Sequence, residues 1–65
     1  MKRWSTDESN WVEVPEVDAF LFEVAEVCRK HGMSISHEDG HGSFLVTRFD
    51  EDLLGWLMDA HGAIK

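Results

Sequence analysis

The sequence predicts one small α+β domain, ordered helix, β-hairpin, helix (αββα), and three observations carry that prediction. Apolar residues from Val17 onward recur at helical spacing between Pro15 and Gly32. Met33 to His37 alternates apolar and polar, then turns through a glycine-rich segment into a second β-branched run. Asp50, Glu51 and Asp52 open a second, shorter helical stripe.

Residues 1–14 read as a polar arm or a short strand, and 15–65 as the single αββα domain. Within the arm, Trp11-Val12-Glu13-Val14 alternates briefly and is the expected strand. Proline disfavours helical geometry at Val14 but suits the first helical position, so the first helix starts at Pro15. Glu16 and Asp18 place negative charge where the helix dipole favours it, and Arg29, Lys30 and His31 place positive charge at the other end. Val17, Phe20, Leu21, Val24, Val27, Cys28 and His31 form one stripe, which predicts a buried face. Gly32 is the expected left-handed cap.

Met33 to His37 reads as a half-buried strand, Glu38 to Gly42 as a turn, and Ser43 to Phe49 as the returning strand. Asp50 then caps a helix whose predicted buried stripe is Leu53, Trp56, Leu57 and Ala60, with Gly62 expected to end it. Two strands alone are marginal in water. The sheet is therefore expected to gain strands from Trp11–Val14, from oligomerisation with a second copy, or from a partner.

Sixty-five residues allow one domain with a small core. Cys28 is the single cysteine, so no disulfide forms within the chain, and a free thiol fits a reducing cytoplasm. The basic start, Met1-Lys2-Arg3, has no apolar stretch after it, so no export signal or membrane span is expected. A formal charge of −7 argues against direct nucleic-acid binding, which needs a basic face, and suits a basic protein partner.

His37-Glu38-Asp39-Gly40-His41 spells H-E-x-x-H, the zinc-protease signature. That motif works on a helix, where both histidines share a face. Here Asp39, Gly40 and Gly42 place it on a turn, so it reads as a coincidence and no catalytic residue is assigned. As a weaker metal alternative, His37 and His41 would flank the turn and converge on one structural ion. Cys28 lies on a buried stripe, where a thiol behaves as an inert small hydrophobe. No cofactor is expected. The candidate binding residues are His37, Glu38, Asp39, His41, Phe44 and Arg48 on the hairpin. The candidate interface residues are Trp4, Trp11, Phe22, Leu54 and Met58, which lie outside the predicted stripes.

The run Cys28-Arg29-Lys30-His31-Gly32-Met33-Ser34-Ile35-Ser36-His37-Glu38-Asp39-Gly40-His41-Gly42-Ser43-Phe44, with Gly55-Trp56-Leu57, resembles a set of small, uncharacterised accessory proteins of tailed phages and prophages. The likeness covers less than half of the chain. It implies a protein that binds and inhibits host or anti-phage defence machinery in the host cytoplasm. The expected function is thus a non-enzymatic, homo-oligomeric binding protein. Two alternatives stand beside it. One is a protein that sequesters a signalling nucleotide in pockets between subunits, lined by Arg48, His37, His41 and the glycine turn with Trp4, Trp11 or Trp56 to stack on a base; the other is a metal-stapled interaction domain.

Overall fold

The computed structural model describes residues 1–38, 40 and 42–62. Its element order is ββαββα rather than αββα: β1 (Lys2–Ser5), β2 (Asn10–Glu13), α1 (Pro15–His31), β3 (Met33–His37), β4 (Phe44–Arg48) and α2 (Glu51–Met58). The two strand pairs form two separate antiparallel sheets, β1–β2 and β3–β4.

The N-terminal segment corrects the expectation of a loose arm. Lys2 pairs with Glu13, Arg3 with Val12, Trp4 with Trp11, and Ser5 with Asn10. Residues 6–9 make the turn, in which Ser9 takes a positive φ of 50° and the Ser5 hydroxyl accepts from the Glu8 N–H. β2 therefore spends its ladder on β1 and adds nothing to β3–β4.

The α1 boundaries follow their local signals. Pro15 occupies the first turn, and the Val14 carbonyl accepts from the Val17 and Asp18 amides. Gly32 closes the helix in the left-handed region (φ 67°), its N–H directed at the Cys28 and Arg29 carbonyls. The buried arc is narrower than the predicted stripe. Leu21, Ala25 and Cys28 are buried, whereas Phe20 and Val27 are exposed and His31 is solvent-facing. Periodicity places these residues on one side of the helix, but no element among the described residues covers its Phe20–Val27 flank.

β3 and β4 pair in the register Met33–Arg48, Ser34–Thr47, Ile35–Val46, Ser36–Leu45 and His37–Phe44. Ser34 then fixes where α2 begins. Its buried hydroxyl accepts from the Asp50 N–H at 2.8 Å, while the Asp50 carboxylate accepts from the Asp52 amide at 2.8 Å and the Leu53 amide at 3.4 Å. This tie sets the rotation of α2, so Leu54 is buried and Met58 packs on the core with Val24 and Phe49. Trp56, expected inside, is exposed. The helix stops at Met58 rather than near Gly62, because the following chain crosses to β1, where the Gly62 N–H bonds the Trp4 carbonyl.

Both helices pack on β3, and β4 lies outside them. Among the described residues the buried apolar side chains are Leu21, Ala25, Cys28 and Leu54.

Replacing Asp50 with alanine removes the N-cap of α2. The expected loss is about 1 kcal/mol of folding free energy, read from the urea midpoint at an unchanged m-value.

Candidate functional site

Arg3 holds the N-terminal hairpin to the rest of the molecule. Strand side chains alternate between faces, so Arg3 and Ser5 point one way and Trp4 the other. Arg3 is only 2% exposed, and Ser5 is buried too. The Arg3 Nη1 donates to the Met58 carbonyl and, at 3.0 Å, to the Ala60 carbonyl, satisfying the end of α2. Its Nε donates to the Asp18 carboxylate on α1 at 2.9 Å. Nη2 lies 2.7 Å from the same oxygen, an ion-pair contact outside hydrogen-bond geometry. The Met1 ammonium adds bonds to Glu13 at 2.8 Å and Asp18 at 3.0 Å. These partners hold the Asp18 carboxyl below its ordinary range, the Met1 ammonium contributing most and the Arg3 guanidinium next. The same contacts raise the Met1 amino group, with Glu13 first and Asp18 second.

With the polar face turned inward, the aromatic face turns out. Trp4 and Trp11 meet edge to face, ring centres 5.6 Å apart. Trp4 is half-buried, but Trp11 is 58% exposed. Of the predicted interface residues, Trp4, Trp11 and the exposed Phe22 remain at the surface. Leu54 and Met58 do not: both belong to the core between the helices.

The β3–β4 hairpin separates its predicted binding residues. His37 and Phe44 are cross-strand neighbours at the turn end, and His37 lies 6.4 Å from the Trp56 ring. Glu38 folds over the turn, its carboxylate accepting from the Gly40 N–H at 2.8 Å. Arg48 pairs with Met33 at the opposite end, four residues or roughly 14 Å along the strand from Phe44. Within one chain, Arg48 and His37 therefore lie at opposite ends of the hairpin and do not line one pocket. Asp39 and His41 lie outside the described residues. His37 ends β3 rather than lying on a helix. Among the described residues no three His, Cys, Asp or Glu side chains gather as a metal site.

Sequence reasoning missed two features. One is the buried Arg3, whose position in a basic, polar start gave no signal. The other is an apolar groove of about 200 Å³ between α1 and the sheet, lined by Val24, Val27, Cys28, His31, Met33, Ser34, Ile35 and Val46. Its flank continues onto Phe20, which is 65% exposed. The signal was present in the helical stripe; what was illegible was that nothing among the described residues covers it.

No family model, curated protein or solved structure matches the chain. No helix among the described residues is long and apolar enough to cross a membrane.

A carboxyl held below its ordinary range stabilises the fold above its unfolded pKa and loses that contribution as pH falls through the folded value. The thermal midpoint is therefore expected to drop on acidification below about pH 4. An Asp18→Asn variant should start lower at neutral pH and show a flatter acid limb, measured by circular dichroism melts across pH.

Proposed function

We propose that the protein is a non-enzymatic binding protein. It presents the Trp4–Trp11 face of its N-terminal hairpin to a host or anti-phage defence protein and inhibits it in the cytoplasm, working as a homo-oligomer. The observation that carries this reading is the inverted hairpin: Arg3 and Ser5 are buried while Trp11 stands exposed beside Trp4. Large aromatics anchored on a rigid element are the side chains that most often dominate protein interfaces. The two-stranded ladder and the Arg3 ties hold this pair in place before a partner arrives, which lowers the ordering cost of binding. The formal charge of −7 favours a partner with a basic surface and speeds its approach. The likeness of the Cys28–Phe44 run to phage accessory proteins supports the choice of host and defence proteins as targets.

The test is affinity capture from a bacterial host lysate with the native chain and a Trp11→Ser variant, followed by titration of the captured protein. The native chain should retain a partner that the variant binds about thirtyfold more weakly, as expected for loss of a hot-spot aromatic worth ~2 kcal/mol. Equal capture by both chains would remove the tryptophan face from the account.

A further inference from the structure

We infer that a second copy of this chain completes the β3–β4 sheet by pairing β4 with β4 across a two-fold axis at Val46. The inference rests on the oligomeric part of the function proposed above and specifies its geometry.

β4 is exposed at every position but the half-buried Thr47. Phe44 is 68% exposed, Val46 60%, and Leu45 is exposed between them. An apolar edge strand of this kind is a template for another strand unless something covers it.

The hydrogen-bond phase fixes the register. The Glu38 N–H bonds the Ser43 carbonyl, and the Phe49 N–H bonds the Gly32 carbonyl. In an antiparallel ladder bonded and non-bonded pairs alternate. Leu45 and Thr47 therefore spend their backbone groups on β3, while Phe44, Val46 and Arg48 direct theirs outward. An antiparallel partner centred on Val46 uses all three, pairing Val46 with its own copy and Phe44 with the other copy's Arg48. The latter pairing sets a guanidinium beside an aromatic ring on the same face.

The two-fold stands normal to the sheet, so both α1 helices fall on one face of a four-stranded sheet. The groove beside Val27, Met33 and Val46 then opens toward the other copy's apolar side chains rather than solvent. No Asp or Glu lines that groove or lies on β4, so the seam itself carries no like-charge pair of carboxylates.

The size of the molecule supports this occupant. Its accessible surface is 4987 Å², about 700 Å² more than a compact monomer of its 7.5 kDa mass would expose. A standard interface takes about 800 Å² from each partner. The Cα radius of gyration is 12.7 Å, against about 11 Å for a compact chain of this length.

Light scattering during size exclusion at tens of micromolar should give twice the chain mass. Val46→Pro deletes an outward donor and no bond to β3, and Phe44→Lys charges the seam. Each should elute at the single-chain mass with the native circular dichroism spectrum. Val46→Cys should be joined into a covalent dimer by a short bis-maleimide cross-linker, which spans the two Cβ atoms of a bonded antiparallel pair, whereas the native chain, whose Cys28 is buried, should not. A native chain at single mass, a dimer unaffected by both seam variants, or a Val46→Cys chain that stays uncrosslinked would each overturn the inference. The Trp11→Ser variant should remain dimeric, so failure of the seam and failure of the tryptophan face are read on different proteins.

Discussion

The buried apolar side chains among the described residues are Leu21, Ala25, Cys28 and Leu54, one of them an alanine. A core that small leaves little margin over the entropy of ordering the chain. The rest of the structure depends on this shortage. The helices pack on β3 and leave Phe20, Val27 and the β4 side chains Phe44 and Val46 exposed. The chain ties its parts with buried polar groups, and it leaves apolar side chains such as Phe20, Val27, Phe44 and Val46 exposed.

Arg3 is the clearest of the ties. One guanidinium joins β1 to α1 through Asp18 and to the end of α2 through two carbonyls. Buried ion pairs add little net stability compared with apolar packing, but breaking one is costly, and we read this one as acting on specificity. Here the specificity is orientation. With Arg3 inward, the pleat forces Trp4 and Trp11 outward. Ser34 does the same at the other end, where its hydroxyl receives the Asp50 amide and fixes which side of α2 faces the core.

The elements legible in the sequence are those with local chemistry at their ends. Pro15, Gly32 and Asp50 mark three helix boundaries because proline, a left-handed glycine and a capping carboxylate act on their own neighbours. The Met33–His37 strand was legible from its alternation. β1 was not, because its inward residues are Arg3 and Ser5, which reverses the usual apolar-inward pattern. Periodicity grouped Phe20 and Val27 with the core side of α1, yet a shared face is not a covered face. Leu54 and Trp56 exchanged places because the rotation of α2 is set by the tertiary Ser34–Asp50 bond. At the candidate site, the adjacency of His37 and Phe44 follows from hairpin register, whereas the separation of Arg48 from them needed the strand lengths.

We propose that this fold is one half of a unit closed by a second copy of the chain. The most direct test is the urea midpoint, followed by tryptophan fluorescence, over about a hundredfold range of protein concentration. Folding coupled to self-association predicts a midpoint that rises steadily with concentration. A midpoint that stays fixed across the range would show a self-sufficient monomer and contradict the account.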